Sequence, residues 1–126
     1  MADQALILFA HGARDPAWAE PFRRVLARVQ ARAPERAAML AFLELMSPDL
    51  DAAIAIQVGR GFTHLRIVPL FLGPGGHVRN DLPRIIDQAR QRHPGISIDL
   101  LPPAGEDAAV IEALAAYSIG STTRSP

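Results

Sequence analysis

Two apolar runs and two further strand-like stretches, each followed by a turn and then by apolar residues at helical spacing, constrain this chain more than any other feature. The apolar runs cover residues 6–10 and 39–45, and the further stretches residues 63–72 and 96–101. Continuous apolar runs of this length suit strands covered on both faces, and their alternation with helical segments predicts βα units. Such units imply a parallel sheet with right-handed crossovers and helices on both faces. The expected architecture is flavodoxin-like, with three layers (α/β/α) around a four-stranded parallel sheet in the order 2-1-3-4.

The punctuation between the runs agrees with these units. Asp15-Pro16 reads as a helix N-cap with proline at the first helical position, and Ser47-Pro48 repeats that signal. Trp18, Phe22, Val25, Leu26 and Val29 mark the first helix, which Pro34 stops. Leu50, Ile54 and Val58 mark the second, ending at Gly59 or Gly61. Val78, Leu82, Ile85, Ile86 and Ala89 mark the third, with Pro83 expected in its first turn, where a missing N–H costs little. Glu106 or Asp107 opens a last helix through Val110, Ile111, Leu114 and Tyr117. Residues 1–120 are expected to form one domain and the polar residues 121–126 a frayed tail.

Composition narrows the function classes. At 126 residues and 49% apolar, the chain can bury a real core and is not a disordered segment. A formal net charge of zero gives no reason to expect a nucleic-acid or membrane-surface partner. The absence of cysteine excludes disulfides and thiolate metal sites. No segment reads as a membrane span or a signal peptide, so the expected compartment is the cytoplasm. No GxGxxG or Walker sequence supports a nucleotide.

The unusual residues gather at one end of the predicted strands. His11 follows the first run, Glu44 lies near the end of the second, and His77 follows the third beside Gly73, Gly75 and Gly76. In open α/β sheets, ligands bind outside the carboxyl ends of the strands where the winding direction reverses. For the order 2-1-3-4 that point lies between strands one and three, which deliver His11 and His77. Either histidine also has a plain reading: His11 caps a turn, and His77 belongs to a surface loop. Facing one cleft, the two can bind a divalent metal while leaving positions open, and their neutral rings can accept protons. An unpaired buried carboxylate is costly, so Glu44 either has an arginine partner or faces the cleft as a ligand or proton acceptor. Arg14 and Arg79 follow the histidines by a few residues and are either solvated or able to pair with substrate carboxylates. Phe9, Met46, Leu70, Phe71 and Leu72 are the candidates for an apolar pocket wall. His64 and His93 fall at the opposite end of the units and take no role.

These residues carry a resemblance. The run from Leu8 through His11, Gly12, Arg14, Asp15 and Pro16 resembles the "GHGSRDP" opening of CbiX-type sirohydrochlorin chelatases. Ala41-Phe-Leu-Glu44 is similar to the end of their second strand. Val68-Pro-Leu-Phe-Leu, with Gly76-His77-Val78 and Asp81-Leu-Pro83, is similar to their third strand and loop. The resemblance covers residues 6–117; Ala13 departs from the usual Ser, and Phe9-Ala10 from a common Gly. It implies a chelatase-like fold and ATP-independent insertion of a divalent metal into sirohydrochlorin or a related tetrapyrrole. The metal would be cobalt, with nickel or iron in relatives. It implies that His11 and His77 are the metal-binding, catalytic histidines, with Glu44 an acid near the metal. It also implies a small, homodimeric form similar to half of the longer bilobal chelatases. The rival readings are a metal-binding or metal-delivery module without turnover, and a flavodoxin-like binding domain whose histidines are structural.

Overall fold

The computed structural model describes residues 4–73 and 75–120, with His77 described by its backbone alone. The chain alternates strand and helix throughout: β1 (Gln4–Ala10), α1 (Glu20–Arg32), β2 (Met39–Phe42), α2 (Leu50–Gly59), β3 (His64–Pro69), α3 (Gly76–Arg92), β4 (Ser97–Leu100) and α4 (Ala108–Ile119). All strand pairs are parallel, and the order is β2-β1-β3-β4. The expected sheet and the expected reversal between β1 and β3 are therefore both present. No helix among the described residues is long and apolar enough to cross a membrane.

The period-2 geometry of β1 divides the core. Ala5, Ile7 and Phe9 point to one face and pack with Leu65, Ile67 and Ile98 against Leu50 and Ile54 of α2 and Val78, Leu82 and Ile86 of α3. Leu8 and Ala10 point to the other face and pack with Leu40, Phe42 and Ala19 under Trp18, Phe22, Leu26 and Val29. The apolar runs of β1 and β2 thus reflect burial on both sides of the sheet, whereas β3 and β4 alternate buried residues with half-buried or exposed ones.

The helix starts follow the capping chemistry with two corrections. Asp15 accepts from the Ala17 N–H at 2.9 Å and caps a short 3-10 turn, Pro16–Ala19, which runs into α1. Asp107 accepts from the N–H groups of Ala109 and Val110 and caps α4. The second helix is not capped by Ser47: Asp49 is the N-cap and accepts from the Ala52 N–H at 2.8 Å. Its carboxylate sits where the helix N–H groups converge, while Pro48 is held back by its carbonyl, which accepts from the Phe42 N–H. Pro83 is not in a first turn either. α3 begins at Gly76, so Pro83 lies inside the helix, where it cannot donate to the Arg79 carbonyl. Both residues are exposed, which puts the unpaired carbonyl on the solvent side.

Helix α4 runs through Val110, Ile111, Leu114 and Tyr117 as expected, and none of its residues is buried. The helix packs mainly on the 3-10 turn Ala104–Glu106 that precedes it. Gly105 explains part of this. Its N–H donates to the Phe71 carbonyl at 3.1 Å, and a side chain there would overlap the Leu72 backbone. The approach to α4 is therefore clamped against the loop after β3, which sets where the helix starts. Residues 121–126, expected to fray, lie outside the described residues.

Candidate functional site

The carboxyl ends of β1, β2 and β3 are tied together beyond the strands themselves. Leu43 N–H donates to the Ala10 carbonyl at 2.9 Å, Glu44 N–H to the His11 carbonyl at 3.1 Å, and Leu70 N–H to the Phe9 carbonyl at 2.8 Å. Gly12 makes this possible. It has a φ of 97°, and any side chain there would overlap the Glu44 carbonyl oxygen. The glycine after His11 thus lets the turns after β1 and β2 lie backbone to backbone.

His11 is exposed at this edge. Its ring meets the edge of Phe71, with centroids 6.0 Å apart at 75°, and Phe71 in turn meets Phe9 at 6.0 Å and 68°. An aromatic relay from the core therefore supports one side of the imidazole. The other side opens on a cavity of about 530 Å³ lined by Trp18, Phe22, Leu70, Phe71, Leu72 and Leu114 among others. Among its described lining residues, His11 is the one ionisable group. Trp18 and Phe22 stack within this wall, 4.7 Å apart at 36°.

Glu44 does not sit at the buried end of a strand. β2 stops at Phe42, and Glu44 is exposed in the turn that follows, so burial does not force a partner on it. Among the described residues it makes no ion pair, and its link to His11 is through the backbone. The backbone places His77 in the first turn of α3, directly after the loop from β3; its side chain lies outside the described residues. Among the described residues, no three His, Asp or Glu side chains cluster closely enough to hold a metal.

Arg14 lies in the turn after β1 and Arg79 in α3; both are exposed, and among the described residues neither is ion-paired. Arg79 borders a second cavity of about 330 Å³, lined by Pro69, Phe71, Leu82, Leu101 and Pro103 among others. Phe71 separates the two cavities and contributes to both. Of the expected pocket wall, Leu70, Phe71 and Leu72 are there, Phe9 is fully buried, and Met46 packs against the α1 side of the core. Trp18, Phe22 and Leu114 are wall residues that the sequence placed only on their helices. The two aromatic rings, Trp18 and Phe22, in an otherwise aliphatic stripe were the available signal.

Comparison with known proteins agrees with this fold. A sirohydrochlorin ferrochelatase of Bacillus subtilis is 29% identical over 111 residues, covering 88% of this chain and 42% of the relative. A sirohydrochlorin cobaltochelatase of Saccharolobus solfataricus is 28% identical, covering 86% of this chain and 88% of the relative. Among solved structures, a CbiX protein of Marinobacter aquaeolei, assigned to cobalamin biosynthesis, superposes with a TM-score of 0.79 at 31% identity, covering 97% and 99% of the two chains. The sirohydrochlorin chelatase SirB of Bacillus subtilis, in complex with cobalt, gives 0.79 at 29% identity, covering 94% of this chain and 50% of that one. The chain thus spans about half the length of the two Bacillus relatives and most of the Saccharolobus and Marinobacter ones. The sequence profile of the CbiX family matches residues 5–118, almost the whole described domain, and the chain belongs to that family.

Proposed function

We propose that this protein inserts a divalent metal ion into sirohydrochlorin or a closely related tetrapyrrole, without a nucleotide, as a homodimer. The observation that carries the reading is the apolar cavity at the carboxyl edge, whose one described ionisable lining residue is the exposed His11. A flat macrocycle needs an apolar, aromatic wall, and Trp18, Phe22 and Phe71 offer one. Metal insertion also needs a donor that hands the ion over and a base at the ring nitrogens. In this reaction two pyrrole N–H protons leave as one divalent ion enters, so the site must hold the metal loosely and accept two protons.

In this reading His11 and His77 bring the metal to one macrocycle face and take up the protons, and Glu44 assists from the adjoining turn. Arg14 and Arg79 meet the peripheral carboxylates of the substrate. Cobalt is the first metal to test, with iron and nickel next. The named relatives include both iron and cobalt chelatases, and nitrogen and oxygen donors of this type bind several first-row ions. The test is incubation with sirohydrochlorin and Co²⁺, Fe²⁺ or Ni²⁺ while the absorbance of the macrocycle is followed. A protein-dependent shift to the metallated spectrum is expected. Tight metal binding with no acceleration of that shift would assign the chain to metal delivery instead.

A further inference from the structure

An exposed side chain ordinarily samples several rotamers within nanoseconds. His11 is exposed, yet a histidine that passes on a metal ion needs one ring direction. Metal-binding histidines are usually held by a hydrogen bond from the second ring nitrogen to a carboxylate or a carbonyl. Among the described residues, no hydrogen bond reaches the ring of His11, although one joins the ring of His64 to the Thr63 hydroxyl. The described side chain that the His11 ring meets is Phe71, with centroids 6.0 Å apart and planes at 75°.

Phe71 is itself fixed from three directions. Its ring meets the fully buried ring of Phe9 at 6.0 Å and 68°. The preceding residue is tied to β1, since Leu70 N–H donates to the Phe9 carbonyl at 2.8 Å. Its own carbonyl accepts from Gly105 N–H at 3.1 Å, and the Leu72 backbone lies so close to Gly105 that a side chain there would overlap it. The ring is therefore held by the core, and its backbone by β1 on one side and the turn before α4 on the other. Phe71 also lines both carboxyl-edge cavities, whereas His11 lines only the larger.

We infer that Phe71 is a positioning residue, which keeps the His11 imidazole turned toward the larger cavity. This rests on the metal-insertion reading above and names what aims its first donor. Edge-to-face contact orients a ring. A hydrogen bond to a carboxylate would orient it too, but would also raise its basicity and strengthen its hold on a metal. Aiming by an aromatic ring leaves the imidazole a weaker donor, which suits a site that must let the ion go.

The test compares wild type with Phe71→Leu, which keeps apolar bulk but removes the ring, and with Phe71→Tyr, which restores the ring. Carbon relaxation of the histidine rings reads their order directly, with the His11 signal assigned from His11→Ala. Phe71→Leu should lower the order of the His11 ring and leave that of His64 unchanged, and Phe71→Tyr should restore it. Co²⁺ affinity in the absence of a macrocycle should fall about 10-fold in Phe71→Leu, the lower end of the usual cost of losing a ligand's support, and kcat should fall with it. A His11 ring as ordered in Phe71→Leu as in wild type overturns the inference. So does a change confined to KM for the tetrapyrrole, which would make Phe71 a cavity wall and nothing more. Should Phe71→Leu fail to fold, wild type still decides: Overhauser contacts between the two rings support the inference, and a rotamer-averaged His11 ring without them overturns it. If wild type neither binds Co²⁺ nor metallates sirohydrochlorin, the metal-insertion reading falls, while the ring-order comparison still decides whether Phe71 positions His11.

Discussion

The N–H of Glu44 donates to the carbonyl of His11 at 3.1 Å, so two candidate site residues in the turns after different strands are joined by backbone. Their relative placement does not depend on side-chain rotamers, and it survives only while the intervening turn keeps its shape. Gly12 sets that shape, since it occupies a left-handed conformation directly over the Glu44 carbonyl.

Gly12→Ala should therefore be severe for a one-methyl change. The backbone strain adds to an overlap with main chain that cannot move aside, and the loss should exceed about 2 kcal/mol. Urea denaturation measures it; a loss below about 0.5 kcal/mol, the range of an ordinary surface change, would mean the two turns separate easily.

His11→Ala should separate activity from stability. The side chain is exposed and outside the core, so stability should stay within about 0.5 kcal/mol of wild type. Metal insertion should fall by about 100-fold or more, the usual worth of a positioned acid–base group. His77→Ala should lower the rate comparably. Rates near wild type in either variant, at subsaturating metal and substrate, would remove that histidine from the reaction.

Trp18→Leu should act on binding. It keeps an apolar side chain but removes the ring that stacks on Phe22 in the cavity wall. KM for the tetrapyrrole should rise about 5- to 10-fold, close to the worth of one aromatic contact, with kcat little changed. Trp18 is the chain's one tryptophan, so substrate binding should also quench the intrinsic fluorescence of wild type. An unchanged KM with unquenched emission would place the macrocycle elsewhere.

Gln57→Leu should do the reverse. Gln57 is fully buried, donates to the carbonyls of Ala37 at 2.7 Å and Leu6 at 3.3 Å, and accepts from Arg60. Leucine leaves those carbonyls short of a donor, at a cost of about 1–3 kcal/mol. Ala37 and Leu6 lie towards the amino ends of the strands, away from His11, so the rate per folded molecule should hold. Denaturant midpoint and turnover, measured together, check both halves.

Much of the fold was legible because the code behind it is local. Strand burial on two faces writes continuous apolar runs, and helix starts write Asp15-Pro16 and Asp107. Four alternations leave few topologies once crossovers must share a hand, so the order β2-β1-β3-β4 followed. That His11, Glu44 and His77 come after the carboxyl ends of β1, β2 and β3 followed from the same alternation.

The tertiary structure decided what depends on distant backbone. Asp49 rather than Ser47 caps α2 because of where the chain leaves β2, and Pro83 sits inside α3 because that helix begins at Gly76. Gln57 reads as a polar helix residue until the carbonyls of Ala37 and Leu6 are placed beside it. Trp18 and Phe22 have the spacing of a core face, and only the gap between α1 and α4 makes them a cavity wall. The apolar composition of α4 registers that its residues want burial. It is silent on whether the burying surface belongs to the same chain, because hydrophobic patterning records exclusion from water and not the identity of the neighbour.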